Sequence, residues 1–260
     1  MVFHNTLLLV AWVIYLVQKD QLRYGKHMNL LFLDTETTGN MPGKDRLVSI
    51  AYKKGEEVTH EFFKPPLPIS VDAMATHHIT NEMVAGKPAF EGSSTHQELS
   101  KLLEDSILVA HNAAFDIGIL ETEGLSAPHF ICTYKVARSL DAEGVIPRYG
   151  LQYLRYFLKL NVENVHAHDA AGDVAVLEQL FKRLEPKMPI EKMVEISKQP
   201  LLMRSIAFGK YKGQLFQDVA KTDRRYLQWL LNEKEFESTS GHSKYPRDED
   251  LIFTLKHHLT

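Results

Sequence analysis

Residues 30–40 read LLFLDTETTGN, and few arrangements satisfy that stretch. Four consecutive large apolar residues, Leu30 to Leu33, demand burial on both faces, as in a central strand of a covered sheet. They run straight into Asp34 and Glu36. Burying an ionised carboxylate without a partner is very costly. The chain must leave the core at this point or hold something positive there. In a strand, the two-residue spacing puts both carboxylates on one face. They also fall at the strand's C-terminal end, where open α/β sheets keep their ligand crevices. A lone D-x-E is weak, and a solvated strand end is the alternative.

Strand-like and helix-like segments interleave after Met28. RLVSIAYKKGEEVTHEFFKP (46–65) predicts two strands joined as a hairpin at KKGEE. NEMVAG (81–86) and THQELSKLLEDS (95–106) predict helices, the second with Leu99, Leu102 and Leu103 on one stripe. ILVAHN (107–112) is a short buried strand, and AFDIGILETEG (114–124) a helix stopped by Gly124. FICTYKVARSL mixes strand and helix, while YGLQYLRYFLKL and DAAGDVAVLEQLFKRL are helical. The alternation predicts an α/β domain over 28–186, with an antiparallel hairpin in a mixed sheet flanked by helices. A linker helix over 187–204 and a small module over 205–260 follow. In that module Tyr226, Trp229 and Leu230 share helical spacing, which predicts a core stripe.

Two further segments carry acids in unusual slots. In AHNAAFD, Asp116 lies one turn before Ile119 and Leu120 and shares their face. It is either turned inward or a first-turn acid that favours the helix dipole. In HDAAGDVAVLEQLFKRL, Leu177, Leu180, Phe181 and Leu184 form an apolar stripe. Extended back one turn, that stripe lands on Asp173. His168 stands five residues upstream at the mouth of the helix, with Asp169 available as a cap. If these acids converge, they are unstable without cations, because two such charges about 4 Å apart repel by about 4 kcal/mol at an effective dielectric near 20. Hard oxygen ligands without a Cys/His cluster suit Mg²⁺ or Mn²⁺ rather than Zn²⁺. Two ions roughly 4 Å apart clamp an in-line phosphoryl displacement, and a nearby His can take the proton of the attacking water.

In order, LDTETTG, AHNAAFD and HDAAGD resemble the three motifs of the DEDD superfamily of 3′–5′ exonucleases. The His five positions before the last Asp resembles the histidine subclass; the tyrosine subclass has Tyr where this chain has Asp169. The resemblance implies a ribonuclease-H-like fold, two metals on Asp34, Glu36, Asp116 and Asp173, and His168 as general base. AMATHHITNEMVAGKP is similar to the segment lining the terminal nucleotide in this superfamily. ICTYKVARSL and FGKYKGQLFQDVAKTDRRYLQWLL are similar to the exodeoxyribonuclease X group, tail module included. Residues 1–27 have no counterpart. Thr35 and Thr37 are then expected beside the terminal nucleotide, and Ile79 against a base. His77 and His78 are expected at phosphate or as solvated loop histidines, and Asn112 and Phe115 to orient the strand or support Asp116, with packing as the alternative for Phe115. The basic and aromatic residues of FGKYKG suit single-stranded nucleic acid, with a solvated strand–turn as the alternative.

Charge agrees without deciding the matter. Residues 187–260 carry 13 Lys/Arg against 10 Asp/Glu, a net of +3, while the remainder nets −6. One cysteine, Cys132 in an apolar setting, excludes an internal disulfide framework and fits a reducing, cytoplasmic setting. LLLVAWVIYLV (7–17) is too short to span a bilayer as a helix and lacks the flanks of a signal peptide. The blander expectation is that residues 1–27 are an extension, with an uncleaved anchor as the alternative and no stable membrane association expected. The functional expectation is a 3′–5′ exonuclease acting on single-stranded DNA 3′ ends in repair. A proofreading subunit, an RNA-trimming exonuclease and a non-catalytic binding module are the alternatives. Nothing in the sequence names a protein partner.

Overall fold

A computed structural model describes residues 29–162, 169–239 and 248–260. The leading apolar run, with the expectations for residues 1–27, and the expected base His168 lie outside these residues. The strands are β1 (Asn29–Thr37), β2 (Leu47–Lys54), β3 (Glu57–Phe62), β4 (Ser106–Ala110) and β5 (Phe130–Cys132), in sheet order β3-β2-β1-β4-β5. β1, β2 and β3 pair antiparallel, and β1, β4 and β5 pair parallel, so the sheet is mixed as expected. Gly55 (φ 59°) and Glu56 turn the expected hairpin, since Lys54 pairs with Glu57.

Alternation along β1 sends its side chains to two cores. Leu31 and Leu33 join Ile50, Tyr52 and Leu108 under α3 (Ser94–Asp105) and α4 (Ala114–Thr122), which contribute Leu99, Leu103, Ile119 and Leu120. Phe32, Ala51, Val109 and Ile131 face the other way. They pack under α5 (Thr133–Leu140), α6 (Leu151–Phe157) and α7 (Ala170–Leu184). Two short helices, α1 (Val71–His77) and α2 (Asn81–Val84), cover the end of β2 with Ala73, Ile79 and Val84. On α7 the stripe Leu177, Leu180, Phe181 and Leu184 is buried, with the Phe181 ring edge-on to Phe32 at 5.5 Å. Lys53 of β2 reaches Glu178 of α7 at 2.9 Å and ties sheet to helix.

The segment expected as a linker helix does hold one. Within 187–204, helix α8 (Ile190–Ser197) buries Met193 and Val194 in the same core as α7. The Ser197 hydroxyl also accepts the Cys132 N–H at 2.7 Å. Both interactions pack α8 against the body that holds the sheet. Beyond it, α9 (Phe216–Thr222), α10 (Arg224–Thr239) and α11 (Asp248–Leu259) enclose a separate core of Ile206, Phe216, Val219, Leu227, Leu230, Leu231, Leu251 and Leu255. That module meets the body through Arg204, which donates to the Glu143 carbonyl (2.9 Å), and through Lys135 near Asp250 (3.8 Å). Cys132 is buried, as its apolar setting predicts. Among the described residues no helix is long and apolar enough to cross a membrane.

Candidate active site

The crevice follows from how β1 outruns its neighbour. β1 pairs with β4 only from Asn29 to Phe32, yet continues to Thr37 against β2 alone. The chain passes to opposite sides of the sheet from β1, so the strand order reverses between β1 and β4. A crevice opens at such a reversal. Asp34 and Glu36 stand on the stretch that β4 leaves, on the same face as Phe32.

Helix α7 brings the third carboxylate. Asp169 caps its N-terminus by accepting the Gly172 N–H, which starts the helix so that Asp173 falls on the buried stripe. Asp173 is 7% exposed. Carboxylate oxygens of Asp34, Glu36 and Asp173 all lie within 4.8 Å of one another. Asp116 arrives from the other layer: it sits in the first turn of α4, 4% exposed, and its Oδ1 accepts the Thr35 hydroxyl at 2.8 Å. Thr35 points away from Asp34 and Glu36 by strand alternation, toward the layer that carries Asp116.

This packing is electrostatically costly. Burial, then Asp116, Asp173, Glu36 and Asp169, push the Asp34 carboxyl well above its ordinary range. Burial, then Asp173, Asp116 and Asp169, push Glu36 up to about 8. Burial raises Asp116 to about 7 against the opposing pull of its hydrogen bonds. Among the described residues no Lys or Arg forms an ion pair with Asp34, Glu36 or Asp116. An oxygen-only donor set with excess buried negative charge fits a hard divalent cation.

A cleft of about 300 Å³ adjoins the cluster, lined by Thr35, Glu36, Thr37, Ser70, His77 and Phe115 among others. Gly39 closes the turn beside it, since a Cβ there would lie 2.6 Å from the Asp45 carboxylate. His77 is buried: its Nδ1 accepts the Ile79 N–H (3.0 Å), which leaves Nε2 to donate to the Thr37 carbonyl (3.2 Å).

The family described as Exonuclease matches residues 31–181, and the family described as Exodeoxyribonuclease X-like C-terminal matches residues 206–235. Exodeoxyribonuclease 10 of Escherichia coli K12 is 35% identical over 238 residues, covering 88% of this chain and 98% of the relative. A DNA polymerase III subunit epsilon-like protein of Rhodobacter capsulatus is 31% identical over 69% of this chain and 28% of its own length. In structure, exonuclease X in complex with 5′-overhanging duplex DNA superposes with TM-score 0.51 at 31% identity, over 65% of this chain and 99% of that one. This chain belongs to the exonuclease family. It is of the DEDD type, with the ribonuclease-H-like fold expected from its motifs, and the family depends on divalent metal.

Within this exonuclease the structure gathers Asp34, Glu36 and Asp173, with Asp116 held to β1 through Thr35. Thr35, Thr37, His77 and Phe115 line the cleft. Ile79 is 6% exposed in the small cluster with Val48, Ile69 and Val84, so its side chain is engaged in packing. Asn112 forms the left-handed turn (φ 63°) into α4, and its carbonyl accepts the Phe115 N–H. His78 caps α1 with φ 62°. Sequence reasoning missed Gln152 of α6, whose amide donates to Asp173 Oδ1. It sits beside the Leu151–Leu154 stripe, where periodicity gives a polar residue no signal.

Proposed function

We propose that this exonuclease is a 3′–5′ exodeoxyribonuclease that releases nucleoside 5′-monophosphates from DNA 3′ ends. One observation carries the reading: three carboxylates from two elements lie within 4.8 Å of one another, and one of them, Glu36, lines a cleft of about 300 Å³. The names of its relatives, exodeoxyribonuclease 10 and exonuclease X with DNA, support DNA as substrate.

Asp34, Glu36, Asp116 and Asp173 would hold Mg²⁺ or Mn²⁺, two ions per site. When bound, those ions neutralise charge on the scissile phosphate and lower the pKa of attacking water. Gln152 and Thr35 orient Asp173 and Asp116 through their hydrogen bonds. Thr35, Thr37, His77 and Phe115 seat the terminal nucleotide against Glu36. Ile79 supports that seat from beneath, as does Asn112 through the turn it makes. His168, five positions before Asp173, takes the proton of water at a ring nitrogen as oxygen attacks phosphorus. The bond from phosphorus to the 3′-oxygen of the preceding nucleotide breaks, and that oxygen takes a proton from solvent, leaving a 3′-hydroxyl and a free monophosphate.

We further infer a preference for single-stranded ends, a setting in DNA repair and a cytoplasmic location. The module of residues 205–260, matched over 206–235 by the exodeoxyribonuclease X-like family, favours a stand-alone enzyme over a proofreading subunit. The test is degradation of 3′- and 5′-labelled DNA and RNA, single and double stranded, with Mg²⁺ or with chelator. Release of monophosphate from the 3′ end of DNA, abolished by chelator, is the expected result. Cleavage from the 5′ end, or of RNA only, overturns the reading.

A further inference from the structure

The C-terminal module carries a surface that the active site does not use. Helical spacing assigns Tyr226, Trp229 and Leu230 to one core stripe, but the structure divides them. Leu227, Leu230 and Leu231 turn inward, while Trp229 is 54% exposed. The Tyr226 ring lies 5.7 Å from Trp229 and 4.9 Å from Tyr211, with planes at 42° and 73°. Lys210 Nζ sits 4.7 Å from the Tyr211 ring centre. Three rings thus run from the Gly209–Tyr211 turn onto the outer side of α10.

The row is built rather than incidental. Asp223 accepts from the Tyr211 hydroxyl (2.7 Å), Lys210 (3.1 Å) and the Tyr226 N–H (3.2 Å). One carboxylate therefore fixes both ends of the Tyr211–Tyr226 contact. Gly209, at φ 68°, admits the close approach, since a Cβ there would lie 2.9 Å from the Tyr226 hydroxyl.

Charge names the occupant. Residues 208–229 hold Lys210, Lys212, Lys221, Arg224 and Arg225 against Asp218 and Asp223 alone. Asp223 is committed to the ring row, and among the described residues neither Lys212 nor Arg225 has an ion-pair partner. An exposed indole, with the half-buried rings of Tyr226 and Tyr211 in line behind it and cations without ion-pair partners nearby in the chain, suits a polyanion that offers flat faces, which is single-stranded nucleic acid. A duplex keeps its base faces stacked on one another and offers none.

We propose that Trp229 and Tyr226 form a stacking platform for unpaired bases of the substrate strand, with Lys212 and Arg225 against its phosphates. The class of occupant rests on the exonuclease reading above.

The test uses the full chain with Trp12→Phe, which leaves Trp229 as the one indole of two. In chelator, oligothymidylate of about 16 nucleotides is titrated while indole emission is followed. Emission is expected to fall on binding and to recover with salt. Trp229→Leu, which keeps apolar bulk without a ring, is expected to weaken binding about 5- to 150-fold. In the chain that keeps Trp12, Trp229→Phe restores most of the affinity, and hydrolysis of a thymidine dinucleotide stays at the parental rate. Unchanged emission, parental affinity in the Leu variant, or equal quenching by blunt duplex or by an acidic peptide overturns the platform. Dinucleotide hydrolysis by the parent reports the active-site reading alone, so loss of either idea is seen separately.

Discussion

Replacing Asp34 by asparagine removes one negative charge from a site where burial and four neighbouring carboxylates already oppose ionisation. Activity is expected to vanish in a labelled-end assay, while the metal-free protein unfolds at a higher temperature than the parent. The same residues set a pH dependence. Glu36 holds its proton to about 8 and Asp116 to about 7, whereas in the unfolded chain both release near the ordinary carboxylate value of about 4. Between those values the folded state binds more protons, so its metal-free stability is fullest below about pH 4 and falls as pH rises to about 8. Urea midpoints in chelator at acidic, neutral and alkaline pH check this, and added Mg²⁺ should restore the alkaline loss. Thr35→Val frees Asp116, and a lost charge-assisted bond of about 1.5–3 kcal/mol predicts a drop in turnover of roughly tenfold or more. The acids themselves were readable from strand spacing and stripe register. The hydroxyl that holds one of them was not, because Thr35 and Asp116 are 81 positions apart.

Helix α7 shows how an element places chemistry. Its stripe from Leu177 to Leu184 clamps it to the sheet, and that clamp decides where Asp173 stands. Phe181→Ala is expected to cost about 3–5 kcal/mol in a denaturant titration. The surviving folded fraction should keep its turnover, since the ring lies two turns from the acid. Helix α8 makes the complementary case. A chain ending at 187 loses Met193 and Val194 from the main core and is expected to unfold or aggregate. A chain ending near 200 keeps that core and should still hydrolyse short substrates. Circular dichroism of the two truncations decides it. Sequence periodicity found α8 but not its burial, because an eight-residue amphipathic helix reads alike as tether or as core.

For the whole molecule, the body places the reaction and the tail module supplies a second surface. Two cores, one on each face of the sheet, and a third in the module leave the carboxylates at a boundary between layers. The sequence by itself determined the mixed sheet, the order of its elements and the three acid-bearing segments. Those are local properties: strand alternation and helical stripes act over a few residues, and an acid in an apolar register is visible where it stands. Only the tertiary structure decided how near the acids come, that Ile79 packs with Val48, Ile69 and Val84, that α8 packs with α7, and that Trp229 faces outward. Each of these depends on which distant segment covers a given face, and the spacing of residues along one element carries no record of its neighbour.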